Sequence, residues 1–255
     1  MTVSRRALLL ALLFAGALLP ASLVGQEAKT EVKAEAKAEA KPNDAVVPVP
    51  KEGGWMMRHE NFNKRVKEGK VDLLLIGDSI TQGWEGAGKK VWEEFYAKRN
   101  AVNLGIGGDR TQHVLWRLDH GNIDGIKPKA AVLMIGTNNS GSNSSEQIAE
   151  GVKAIVDKLK TKLPETKILV LAVFPRGANK DDPRRKVNTA ANEIIAKLAD
   201  DKQVFFLDIG PKFVAEDGTL SKEIMPDLLH LNEKSYRIWA DSIEGKLAQL
   251  MGEKS

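Results

Sequence analysis

The sequence predicts an α/β protein, a doubly wound parallel sheet of five strands with helices on both faces. Three observations lead there. Five short aliphatic runs recur along the chain, each stopping at a glycine or a proline. The runs are continuous rather than alternating, which suits parallel strands covered on both faces. Segments of helical period lie between them, and strand–helix alternation builds this kind of sheet.

The first run is "VDLLLIG", Val71–Gly77. The second, "AVNLGIGG", spans Ala101–Gly108 and leads into the helical segment "TQHVLWRLDHG". The third, "AAVLMIG" (Ala130–Gly136), precedes "SSEQIAEGVKAIVDKLKTKL". The fourth, "KILVLAVFP" (Lys167–Pro175), precedes "DPRRKVNTAANEIIAKLADD". The fifth, "QVFFLDIG" (Gln203–Gly210), is followed by a long loop and a last helix, "NEKSYRIWADSIEGKLAQLM". In a flavodoxin-like order, 2-1-3-4-5, strand one lies between strands two and three. Ligands of such three-layer α/β/α sheets bind beyond the carboxyl ends of the strands. The loops that converge there carry "GDSI", "GIGGDR" and "GTNN".

The ends of the chain read differently. Residues 1–25 have a signal-peptide layout: basic "MTVSRR", apolar "ALLLALLFAGALL", then small residues. An uncleaved membrane anchor is the alternative, because the apolar stretch nears the roughly 20 residues a span requires. "SRRALLL" also loosely resembles a twin-arginine export signal. Residues 26–52 are Ala/Glu/Lys-rich and then proline-rich, with no apolar face to bury, and are expected to form a solvated tether. The folded domain is then expected over 53–255, in an exported protein of the periplasm or the extracellular space.

Composition narrows the chemistry. The formal charge is +4 over 255 residues, with acids and bases interspersed. No basic stripe suggests a nucleic-acid partner, and no polybasic patch suggests stable membrane binding. There is no cysteine, hence no disulfide, no thiolate metal site and no cysteine nucleophile. No metal is expected.

Ser79 stands where strand one turns into a helix. Alone it reads best as a helix N-cap, so it needs partners. A serine nucleophile requires a base within hydrogen-bond reach and a group that orients that base. Four histidines are available. His59 precedes the first strand, in a stretch with no assigned element. His113 and His120 lie on the helix after strand two and read as packing or surface residues. His230, in "PDLLHLN", follows Asp227 by three positions. That spacing lets the carboxylate reach Nδ1 and leave Nε2 free. An oxyanion would be met by the N–H groups of Ser79 and Gly108 and by the amide of Asn138, with Asn139 a rival for that last role. "GIGGDR" lacks the third glycine of a dinucleotide loop, Arg110 standing in its place, and no cofactor is expected.

With these residues in view, the chain resembles an SGNH hydrolase of the GDSL type. "GDSI" matches that family's first block, "GIGGD" the second, "GTNN" the third and "DLLH" the fifth. "NLGIGGDRTQHVLWRL", "VFPRG" and "LLHLN" resemble the catalytic subunits of the intracellular platelet-activating-factor acetylhydrolases. The resemblance implies a flavodoxin-like fold and metal-free ester hydrolysis through an acyl-serine. It also implies a small acyl-ester substrate, acetyl above all. Ile80, Thr137 and Leu229 are expected to wall a small acyl pocket, and Trp84 to offer either a sugar-stacking platform or a packing aromatic. Arg110 and Arg176 are candidates for the rim. An acyltransferase with a sugar acceptor, or a silent envelope-binding domain, would carry the same blocks.

Overall fold

The computed structural model describes residues 42–253. The expected signal peptide, and the tether up to residue 41, lie outside the described residues. Five strands form one parallel sheet in the order β2-β1-β3-β4-β5. They are β1 (Leu73–Gly77), β2 (Ala101–Gly105), β3 (Ala130–Met134), β4 (Lys167–Leu171) and β5 (Val204–Leu207). In register, Gly77 of β1 sits between Gly105 of β2 and Met134 of β3. The three loops that carry the motif residues therefore leave the sheet side by side.

Each strand is buried on both faces, and the period of two divides its side chains between two cores. Leu74 and Ile76 face one core with α1 (Gly54–Lys67), α4 (Thr111–Asp119), α5 (Ser145–Lys162) and α6 (Pro183–Ile195). Leu73 and Leu75 face the other, where α3 (Lys89–Phe95) and the long α7 (Glu233–Met251) pack with the short α2 (Ser79–Gln82). The helices start at readable signals. Ser144 and Gln147 form a capping box for α5. Asp182 caps α6 with Pro183 in the first turn, and Asn232 caps α7. The helices α1 and α3 are additions to the helices the sequence suggests, and the short α2 is the helix expected to start at Ser79.

The expected tether boundary at residue 52 is corrected by the structure. Residues 42–52 form a strap laid across α4 and α5. Ala45 is fully buried, and its carbonyl accepts from the Thr111 hydroxyl at 2.7 Å. Asp44 Oδ1 accepts from Asn143 Nδ2 at 2.5 Å. Val49 N–H donates to the Gln112 carbonyl at 3.3 Å. Polar contacts to distant residues hold this segment, and hydrophobic periodicity is blind to those.

Candidate active site

β1 turns into α2 within two residues. A Cβ on Gly77 would lie 2.1 Å from Thr81 Oγ1 and 2.5 Å from the Met134 carbonyl, so only glycine allows this tight exit. Asp78 is the N-cap of α2, its Oδ1 accepting from Ile80 N–H at 2.9 Å. This leaves Ser79 as the first helical residue, half-exposed, with its own N–H free at the helix start.

The candidate base arrives from the loop before α7. Asp227 Oδ1 accepts the backbone N–H of His230 at 2.7 Å and of Leu229 at 3.1 Å. Its Oδ2 takes His230 Nδ1–H at 2.6 Å. Leu228, between them, has φ +60°, a left-handed conformation costly for a leucine. Its carbonyl is tied to Gly177 N–H at 2.9 Å, which binds this loop to the one after β4. With Nδ1 committed as a donor, Nε2 is an acceptor, and the Ser79 hydroxyl donates to it at 2.9 Å. Burial pulls the Asp227 carboxyl up, but the His230 and Leu229 hydrogen bonds outweigh it and hold the group below its ordinary value. The imidazole is 44% exposed and the carboxylate 56%, so the relay lies at an open mouth.

The candidate oxyanion donors lie on the loop after β2. Ile106, Gly107, Asp109, Arg110 and Thr111 all spend their N–H groups. Gly107 donates to Gln82 Oε1 at 2.7 Å, and Arg110 to His113 Nδ1 at 2.9 Å. Thr111 donates to Asn139 Oδ1 at 3.1 Å. Ile106 and Asp109 donate to the carbonyls of Gly77 and Ile106. Among the described residues, the Gly108 N–H alone in this stretch has no protein partner. Gly108 has φ +73°, and a Cβ on neighbouring Gly107 would sit 3.9 Å from Ser79 Cβ, so this turn adjoins the serine. Asn138 is half-exposed and donates one Nδ2 hydrogen to the Asp109 carbonyl at 2.9 Å, leaving the second free. Asn139 is fully buried, its amide bonded to Thr111, Gln112 and Asn143. The geometry therefore gives Asn138, and not Asn139, a donor to offer.

Several residues of this site escaped the sequence reading. Asp109 is fully buried and accepts Trp55 Nε1–H at 2.6 Å and Arg117 Nε–H at 3.0 Å. Arg117 is itself fully buried and donates onward to Asn122 Oδ1 at 2.7 Å. This pair sits directly beneath the Gly108 turn. The signal available was the acid immediately after "GIGG", eight positions before an arginine on a helix. Lys51, on the strap, donates to the Gly108 carbonyl at 2.6 Å. Nothing local in the sequence marked it.

Three expected pocket residues, Ile80, Trp84 and Thr137, are corrected, each being 1% exposed. Ile80 is 1% exposed and packs in the α7-side core, so it is no pocket wall. Trp84 is also 1% exposed, packed against Trp92, Tyr96, Tyr236 and Trp239, and is the packing aromatic rather than a stacking platform. Thr137 is buried, its hydroxyl accepting from Arg176 Nη1–H at 3.1 Å. Leu229 remains half-buried beside the base. Arg176 thus braces the loop after β3, while Arg110 takes the N-cap position of α4 with its backbone N–H on His113 and no side-chain cap bond. His59 is buried against Trp55, His120 stacks on Trp116, and burial pushes His113 down to about 4. A cavity of about 460 Å³ beyond β4 and β5 includes none of Ser79, Asp227 and His230 among its lining residues.

Comparison with known proteins agrees with this architecture. The profile described as the GDSL-like Lipase/Acylhydrolase family matches residues 75–238. The chain is 38% identical over 206 residues to the platelet-activating factor acetylhydrolase IB subunit alpha1 of Homo sapiens, covering 80% of this chain and 87% of that one. It is 37% identical over 220 residues to the alpha2 subunit of Rattus norvegicus, covering 83% and 93%. Among solved structures, a GDSL-like lipase from Bacteroides thetaiotaomicron superposes with a TM-score of 0.57 at 19% identity, over 76% of this chain and 97% of that one. An acetylxylan esterase from Geobacillus stearothermophilus gives 0.56 at 18% identity, over 73% and 96%. At those identities the two structures speak for the fold alone.

Proposed function

The chain belongs to the GDSL-like lipase/acylhydrolase family and is a carboxylic ester hydrolase, and from that premise we propose that it is an exported serine esterase acting on short acyl esters. The observation that carries the reading is the unbroken relay from Asp227 through His230 to Ser79, at 2.6 Å and 2.9 Å. Ser79 Oγ attacks the ester carbonyl as His230 Nε2 takes its proton. Asp227 holds the imidazole in the tautomer that can accept, then stabilises the imidazolium. The tetrahedral oxyanion is received by the N–H groups of Ser79 and Gly108 and by the free Asn138 amide hydrogen. His230 then protonates the departing alcohol. Water, activated by the same imidazole, releases the acid from the acyl-serine.

Acetyl is the acyl group best supported. The curated relatives are named acetylhydrolases. The exposed relay favours water as the acceptor over a sugar hydroxyl, because transfer needs water excluded. Lipid-like and carbohydrate esters both suit so open a mouth. Export rests on the basic and apolar start of the chain. N-terminal sequencing of protein recovered from outside the cytoplasm tests it. A start near Gln26 is expected, and full-length protein confined to the cytoplasm overturns export.

The enzymatic test is hydrolysis of p-nitrophenyl acetate by wild type, Ser79→Ala and His230→Ala. Each substitution should remove several orders of magnitude of kcat with the fold intact by circular dichroism. Near-native turnover in a folded Ser79→Ala protein would refute the acyl-serine. On p-nitrophenyl acetate, butyrate and octanoate, kcat/KM should fall in that order, and an octanoate optimum would refute the short-acyl assignment.

A further inference from the structure

The Gly108 turn poses a mechanical problem. Two consecutive glycines, Gly107 and Gly108, form its apex, both exposed. Glycine loses the most conformational freedom on ordering, so a glycine pair does not hold a direction by itself. Yet an oxyanion donor works only when its N–H is aimed before the charge develops. Something outside the turn must fix the apex.

Gln82 holds one side through the Gly107 N–H at 2.7 Å. The other side is held from the strap, by Lys51 Nζ on the Gly108 carbonyl at 2.6 Å. The ammonium has no closer acid than Asp109 Oδ1, at 4.0 Å, and that carboxylate already pairs with Arg117 at 2.9 Å. Its position is therefore set by the carbonyl and by the strap. The strap is fixed in turn: Ala45 is buried, Asp44 bonds Asn143, and Val49 bonds Gln112. Downstream, Trp55 of α1 ties the same segment to Asp109 at 2.6 Å. Lys51 is 33% exposed, so its side chain is not part of the closed core. A charge-assisted hydrogen bond to a backbone carbonyl is stronger than a neutral one and suits a clamp of this kind.

We propose that Lys51 is a positioning residue for the oxyanion hole, reaching from the N-terminal strap to hold the Gly108 turn so that its N–H stays aimed at the reacting carbonyl. The inference rests on the serine-esterase reading, which the Ser79→Ala experiment tests separately. It gives the N-terminal strap a part in catalysis. It also separates aim from binding, because Lys51 contacts the turn and not the substrate.

The test compares wild type, Lys51→Met and Lys51→Arg on p-nitrophenyl acetate, with thermal unfolding of each. Lys51→Met keeps the aliphatic stem and removes the donor. Its kcat should fall about 5- to 30-fold, a part of the 10²–10³ expected from losing an oxyanion donor outright. KM should stay within about twofold. Lys51→Arg restores a cationic donor and should recover kcat to within about threefold of wild type. The proposal is overturned by a Lys51→Met kcat within about twofold of wild type, or by a loss confined to KM, since such a loss marks a substrate contact. It is equally overturned if Lys51→Met and Lys51→Arg lose kcat alike in step with a lowered Tm.

Discussion

Asn138 and Asn139 are neighbours in the chain with opposite duties. The first keeps an amide hydrogen free at the mouth, and the second has its amide wholly engaged in the interior. Asn138→Ala should lower kcat by roughly 10²–10³ and KM far less. Asn139→Ala should instead cost about 2–4 kcal/mol of stability, because buried partners on Thr111, Gln112 and Asn143 lose their bonds together. Steady-state kinetics and urea unfolding on both variants separate the two, and an exchange of phenotypes would reverse the assignment. The sequence left this choice open because the deciding partners lie up to 29 positions upstream. Asp227 and His230 were legible because their relation is local, three residues on one turn. Ile80 and Trp84 were read onto the mouth from their closeness in sequence to Ser79. Successive helical residues point about 100° apart, so a serine that faces outward sends the isoleucine after it into the core.

At the scale of elements, the five strands were legible because each is a continuous aliphatic run, and burial on both faces demands that. The strap was not legible. "DAVVPVPK" has neither period, and the groups that hold it belong to α4 and the turn before α5. The strap packs closely over Gly151 on α5. A Cβ there would meet Thr111 Oγ1 at 2.6 Å and the Ala45 carbonyl at 2.9 Å. Replacing a mid-helix glycine by alanine ordinarily gains about 1 kcal/mol from helix propensity. Here the methyl must displace backbone, and overpacking of that kind costs about 1–3 kcal/mol. Gly151→Ala should therefore be neutral to destabilising by urea unfolding, against the usual trend. It should also lower kcat, because a lifted strap draws Lys51 off the Gly108 carbonyl. A more stable variant with unchanged kcat would show that the strap and the turn are not coupled.

Over the whole molecule, the sheet gathers its candidate site at the carboxyl ends of β1, β2 and β3 and buries two acids there that the relay does not use, Asp109, which pairs with Arg117, and Asp78. Asp78 is fully buried, with Oδ1 on Ile80 N–H and Oδ2 without a partner among the described residues. Burial pushes its carboxyl up to about 7, and nearby Asp109 adds to this, while the Ile80 N–H and His230 oppose it. In the unfolded chain the same group titrates near 3.9. Between those values the folded protein holds a proton that the unfolded chain has lost, so stability falls as pH rises from about 4 to about 7. Asp200 acts with the opposite sign. Hydrogen bonds from the backbone of Val204, Gln203 and Lys202 hold it low, so its contribution is present at neutral pH and lost only as pH drops below about 4. The two windows do not overlap. Asp78→Asn keeps the Oδ1 acceptor that caps α2 and removes the ionisation, while the other carboxyls remain common to both proteins. The difference in unfolding free energy between Asp78→Asn and wild type should therefore grow in favour of the variant from pH 4.5 to pH 7.5. The growth should be on the order of 1–4 kcal/mol, set by the distance between the two titration points. Urea unfolding of both proteins at pH 4.5, 5.5, 6.5 and 7.5 measures it. A difference that stays constant across that range would mean that Asp78 is ionised throughout, and that its second oxygen has a partner after all.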